Sequence, residues 1–199
     1  MTEHDVLVID TDAELEKIMR RLDTLPEQLK APDVLKRALN TTARKVRRQL
    51  AKDAGKRYTL EQKNAFTKES KVLSANTSTL TATVLAKGPM RDIMDFMTQP
   101  NTATGAAAAK ILNSASMKPL EVSTVSGTLK AFVTRFQSGH TAIVQRRGAA
   151  RLPVKKLLSP AVPHMMGNEE VRERAEALAY EELVKQIDRQ IERLTGAQT

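Results

Sequence analysis

The sequence predicts an α+β protein: an antiparallel sheet packed against a long helix in the N-terminal half, with a second long helix at the C-terminal side. Three observations carry this. Residues 35–50 and 171–194 place apolar side chains at helical spacing over several turns. Residues 70–87 and 129–145 instead alternate apolar and polar side chains in paired runs around short turn-forming stretches, the pattern of hairpins. The 199 residues, 41% hydrophobic and 28% charged, are enough for one packed domain and too polar for a membrane protein.

The elements follow in order. Val6, Leu7, Val8 and Ile9 form a short β-favouring run. Asp10-Thr11-Asp12 closes it, and either Thr11 or Asp12 can cap a helix carrying Leu15, Ile18, Met19, Leu22 and Leu25 up to Pro26. Residues 1–30 thus read as a strand and helix extension. The long helix starts at Ala31-Pro32-Asp33, since a first-turn proline lacks only an N–H that would be unpaired anyway. Leu35, Ala38, Leu39, Thr42, Val46 and Leu50 make its apolar stripe. Gly55 is expected to weaken or end it, and Thr59 to cap a further turn or short helix reaching Phe66. Val72-Leu73 and Leu80 to Ala86 form a hairpin about Asn76-Thr77-Ser78, ended by Gly88-Pro89.

Residues 97–109 hold no large apolar residue after Met97 and read as a long loop. Strand-like runs resume at 110–117, 119–125 and 129–136, the last turning through Gln137-Ser138-Gly139-His140 into Thr141 to Gln145. Pro153, Pro160 and Pro163 should hold 151–166 extended and away from any central strand. Asn168 is placed to cap the final helix, with Val171, Ala175, Leu178, Leu183, Ile187, Ile191 and Leu194 on one stripe. The organisation is therefore a 1–30 extension, a 31–166 core with a long loop at 97–109, and a 167–199 helix.

Composition excludes several functions. With no cysteine there is no disulfide framework, thiol nucleophile or cysteine-based zinc or iron–sulfur site, and the chain suits a reducing cytosol. The start MTEHDVLVIDTD lacks the basic region and long apolar run of a secretory signal, and no window approaches a membrane span, so a soluble, untargeted chain is expected. His4, His140 and His164 lie far apart with no second ligand type at metal spacing. No glycine-rich phosphate loop and no G-x-S-x-G is present. Asp10/Asp12 and Asp92/Asp95 read as cap, turn or solvated carboxylates. The sequence assigns no catalytic, cofactor-binding or metal-ligating residue.

Charge is the informative feature. The net +9 is unevenly spread: −5 over residues 1–27, +8 over 28–57, +2 over 58–129, +7 over 130–156 and −3 over 167–199. On the first basic block, residues 36–57, a solvated helix face is as good a reading as a binding one. The second block holds Lys130, Arg135, Arg146, Arg147, Arg151, Lys155 and Lys156 and no acid. Mutual repulsion of so many cations calls for a negatively charged partner. Arg135, His140, Arg146, Arg147, Arg151, Lys155 and Lys156 are the candidate interface residues. Nucleic acid is one such partner, although stacking aromatics are scarce and no helix-turn-helix, zinc-finger or RNA-binding signature occurs.

Four stretches are informative together. RALNTTARKVRRQLAKDAGKRYTLEQKNAF (37–66), DIMDF (92–96), LKAFVTRFQSGHTAIVQRRG (129–148) and LPVKKLLSPAVPHM (152–165) resemble, in content and order, the prophage minor tail protein Z family, the tail completion proteins of long-tailed bacteriophages. The resemblance covers about residues 33–166. It implies a non-enzymatic virion protein at the head-proximal end of the tail, assembled in the host cytoplasm as a six-fold ring. Its partners would be further copies of itself, a tail terminator or tube protein, and head-completion or connector proteins. DNA would pass through the ring without specific binding, and no cofactor or membrane is involved.

Two charge arguments bear on that expectation. Basic middle blocks and acidic flanks can complement one another between neighbouring copies. A basic lumen would grip the DNA that has to slide through it, because each neutralised phosphate adds affinity. Arg146, Arg147, Lys155 and Lys156 are therefore expected to face another protein, with Asp and Glu better represented at the lumen. The alternative is a sequence-independent, architectural DNA-binding protein, and an enzyme with a carboxylate pair in one cleft is a distant third.

Overall fold

Helix α1 runs from Ala31 to Arg57, with Asp33 in its first turn and Lys56 and Arg57 in its last, each placed to complement the helix dipole. All six residues of the expected stripe, Leu35 to Leu50, are buried. In this computed structural model, which describes residues 3–9, 31–99, 106–125, 127–148 and 150–195, the helix expected between Asp12 and Leu25 lies outside the described residues. Gly55 does not end α1, which continues to Arg57. A helical glycine costs only about 1 kcal/mol against alanine, less than tertiary packing of the turn returns.

Helix α1 is followed by the short helix α2 (Ala65–Lys68), then β2 (Ser70–Leu73) and β3 (Ala82–Lys87). Thr59 does not cap α2. Its hydroxyl donates to the carbonyls of Lys110 and Ile111, because Thr59 is held against the 110–111 backbone, where Thr59 N also donates to Ile111 O at 2.9 Å. The residue before α2 is Asn64, which makes no side-chain cap. Strand β1 (Glu3–Ile9) pairs antiparallel with β3, as does β2, giving the order β1-β3-β2. Asn40 fastens the hairpin to α1: its amide donates to Ala75 O at 3.0 Å and its carbonyl accepts from Ala75 N at 2.7 Å.

The remaining strands are β4 (Arg91–Asp92), β5 (Met97–Gln99), β6 (Ala108–Lys110), β7 (Lys118–Pro119), β8 (Glu121–Thr124), β9 (Gly127–Arg135), β10 (Thr141–Arg146), β11 (Val154–Lys156) and β12 (Leu158–Ser159). A 3-10 turn, Ile93–Asp95, joins β4 to β5. Both ends of the expected 97–109 loop are thus paired strand, Met97 opposite Lys110 and Gln99 opposite Ala108. Ladder hydrogen bonds need no large side chain, so the alanine-rich run gave no periodic signal. The strand expected at 110–117 is short instead: beyond Lys110 only the Leu112 bridge to Tyr58 remains, and Asn113 turns back to bond Lys56 O and Tyr58 O.

Pairing runs from β9 through β10 to β11. It continues from β12 to β4 and from β5 to β6, and Ala106 and Ala107 return to Phe132 and Ala131 of β9. A small second core of Ile93, Ala107, Ala109, Ala131, Val133 and Ile143 lies among these strands. The larger core draws on β1, α1, the β2–β3 hairpin and both C-terminal helices.

The proline-rich stretch is extended only in part. β11 is an edge strand, as proline flanks require, but Val162–Met166 forms helix α3 because Pro163 sits in its first turn, where the missing N–H costs nothing. Helix α4 (Glu169–Thr195) follows. Asn168 precedes it, but only its backbone carbonyl accepts, from Val171 N and Arg172 N; its side-chain oxygen has no partner. The inward ridge of α4 is Val171, Ala175, Ala179, Leu183 and Ile187, every fourth residue, so Ala179 takes the place expected for the half-buried Leu178.

α4 packs along α1 in the most extensive contact of the fold. Ion pairs Lys45–Glu182 and Arg57–Glu170 fix the two helices antiparallel. Burial raises the Glu182 pKa, but hydrogen bonds from Lys45 and Gln186 and the charges of Lys45 and Lys185 outweigh it, leaving the carboxyl below its ordinary value. A lowered folded pKa gives stability that is present above the unfolded value and lost as pH falls through the folded one. Glu182→Gln is therefore expected to flatten the acid-side loss of stability, seen in urea unfolding followed from pH 6 down to about pH 3. An acid limb identical to that of the parent would contradict it.

Candidate protein-interaction surface

The candidate residues sit on the β9–β10–β11 layer. β9 and β10 pair from Arg135 opposite Thr141 to Ala131 opposite Gln145. Gly139 N donates to Phe136 O and Phe136 N to His140 O, both at 2.9 Å, and Gly139 has φ +81°. This is a three-residue turn with a left-handed residue at its end, which is why a glycine stands there. β11 pairs with β10 through Gln145 opposite Lys155 and Arg146 opposite Val154, and Arg147 N donates to Pro153 O at 3.1 Å.

This register separates the sequence block into two groups. Arg135 and His140 stand at the turn end of the hairpin. Arg146, Arg147, Arg151 and Lys155 stand at the other end, roughly 15–20 Å away for the six-residue length of β10. All are exposed. Arg146 lies over the Phe132 ring, 5.8 Å from its centroid, so its guanidinium is oriented by the ring.

Lys156 is paired, contrary to its reading as uncompensated. Its ammonium lies 2.7 Å from Asp92 Oδ2 and 3.1 Å from His140 Nε2, and His140 Nε2 is 3.4 Å from the same carboxylate oxygen. Asp92 is brought there by β4, which pairs with β12 through Asp92 opposite Leu158, two residues beyond Lys156. Its Oδ1 accepts from Met94 N at 3.1 Å and so caps the 3-10 turn, which fixes the carboxylate under the two bases. The Phe136 ring stacks on His140 at 6.5 Å with planes 9° apart. Asp92, Phe132 and Phe136 are the residues that charge counting missed. Arg135, Arg146, Arg147, Arg151 and Lys155 have no acidic partner among the described residues.

The first basic block is partly engaged within the chain. Besides Lys45 and Arg57, Arg47 donates to Thr67 O at 3.3 Å and Ser70 O at 2.7 Å, closing the end of α2. Some of the charge complementarity expected between copies is thus used inside one chain. Among the described residues no group of three His, Asp or Glu could hold a metal ion, and no helix is long and apolar enough to cross a membrane. A cleft of about 210 Å³ between α1 and α4 holds Asp53 and Glu170; Asp53 is buried, but Glu170 is 61% exposed and paired with Arg57.

No family model, curated protein or solved structure matches the chain. Its function is therefore read from the geometry above and from the ordered segments of the sequence.

Proposed function

We propose that this chain is a structural virion protein, a tail completion protein at the head-proximal end of a phage tail. In this reading it forms a ring of copies that makes the tail competent for head joining and DNA passage, and no catalytic step is assigned to it. One observation carries the reading: the segments that bear the family resemblance meet in space. Asp92 of DIMDF lies against His140 of QSGH and Lys156 of LPVKK, and Leu158 of the same segment pairs with Asp92. Residues far apart in sequence thus act as one unit that holds the β9–β10 hairpin and presents its unpaired arginines.

The arginines at the open end suit a protein partner better than a DNA lumen. They are exposed, carried on a four-stranded sheet, and strong phosphate binding there would hinder sliding DNA. The chain is expected in the neck layer of intact particles when these are imaged with a label on it. Finding it at the distal tail tip, or not in particles at all, would overturn the reading.

A further inference from the structure

A second cationic site lies away from the hairpin and shares Lys56 with the α1–α4 cleft that holds Asp53 and Glu170. Between α1 and the turn before α2 is a cleft of about 460 Å³, walled by Arg48, Lys52 and Lys56 of α1 and by Lys63, Asn64 and Thr67, with Ala51 and Gly55 at its base. The three α1 cations recur every fourth residue, about 6 Å apart along one ridge. None of the four has an acidic partner among the described residues.

The matching surface is on the same chain but cannot reach it. Glu169 and Glu173 of α4 are exposed, four residues apart, and lack an acidic-to-basic pairing among the described residues. Each stands two residues, roughly 200°, round the helix from Val171 or Ala175, which face α1, so both point away from their own α1. The pairing chemistry already exists inside the fold, where α4 acids meet α1 bases at Lys45–Glu182 and Arg57–Glu170.

We propose that the α1 cleft receives the Glu169–Glu173 ridge of α4 from a second copy. Cations and carboxylates then meet at equal spacing, and the contact joins two different patches. Such a head-to-tail contact repeats from copy to copy until it closes a ring or extends. The proposal rests on the reading that the chain assembles with itself, and it supplies the surfaces.

The test uses two variants of the full chain. One is Arg48→Glu/Lys52→Glu/Lys56→Glu, the other Glu169→Lys/Glu173→Lys, with Arg48→Gln/Lys52→Gln/Lys56→Gln as a milder form of the first and circular dichroism as the check on folding. Self-association is followed by sedimentation at about 50 mM and about 0.5 M salt. Each variant alone is expected to associate at least about tenfold more weakly than the parent at low salt, and an equimolar mixture to recover association, since alternating the two variants restores the opposite charges that each lacks at its contacts. Parental association by either variant, or a mixture that stays apart, overturns the proposal while leaving self-assembly intact. A parent that never associates sinks the assembly reading itself. Loss of DNA binding by the first variant with its association unchanged would make the cleft a phosphate site and likewise overturn the proposal.

Discussion

Phe66→Ala is expected to remove about 3–5 kcal/mol of unfolding free energy, the range for deleting a buried aromatic ring. Phe66 is fully buried in α2 within the larger core, and its carbonyl accepts the Ser70 hydroxyl at 2.6 Å, so the ring and the backbone that carries it are both fixed. The ring approaches α1 at Gly55, where a built Cβ would sit 4.0 Å from Phe66 Cδ2. One wall of the resulting cavity is thus helix backbone, which cannot collapse into the space as a flexible side chain would. That places the effect toward the upper part of the range. Phe66→Leu, which keeps most of the volume, should cost clearly less. Urea unfolding of both variants decides it: a loss under about 1 kcal/mol for Phe66→Ala would mean that the α1–α2 contact does not hold the core as described.

What the sequence made legible follows a physical rule. The α1 stripe from Leu35 to Leu50 and the β9–β10 turn at Gly139 could be read because each is a local pattern with a single-residue signature, large apolar side chains at helical period in one case and a glycine at a left-handed position in the other. Fold class followed from such patterns. Thr59 was misread because a hydroxyl that can cap a helix can equally bond a distant backbone, and the choice between Asn64 and Lys110 as neighbours is tertiary. The two ends of the expected 97–109 loop were misread because Ala107 and Ala109 are buried by backbone pairing, without bulk of their own, while residues 100–105 lie outside the described residues.

The candidate surface shows the same boundary. Arg146 and Arg147, which charge counting along residues 130–156 singles out, are exposed because they stand at a strand end, a local matter. Charge counting fails for Lys156, since its partner Asp92 arrives through β4–β12 pairing that no local pattern encodes. The acidic character of 167–199 likewise reads as available for other copies. In the fold Glu170 and Glu182 are spent on Arg57 and Lys45, while Glu169 and Glu173 remain directed outward.

Arg146→Glu/Arg147→Glu is the change with the largest expected effect on assembly. Both residues are exposed at the end of β10 and neither has an acidic partner among the described residues, so reversing them breaks no ion pair within the described fold. Among the described residues the one internal contact at risk is Arg146 over Phe132, worth on the order of 0.5–1 kcal/mol at an exposed site, so the melting temperature should move little. If these side chains meet acids on a neighbour in the ring or neck, each attraction becomes a repulsion. Incorporation into particles and infectivity should then fall by about tenfold or more, with partial recovery as salt screens the contact. Arg146→Lys/Arg147→Lys, which keeps the charge, should assemble close to the parent. If the patch binds DNA instead, the reversed variant would lose a DNA affinity that falls steeply with salt in the parent, while ring formation stayed normal. Normal particles and infectivity from the double reversal would remove Arg146 and Arg147 from the interface altogether.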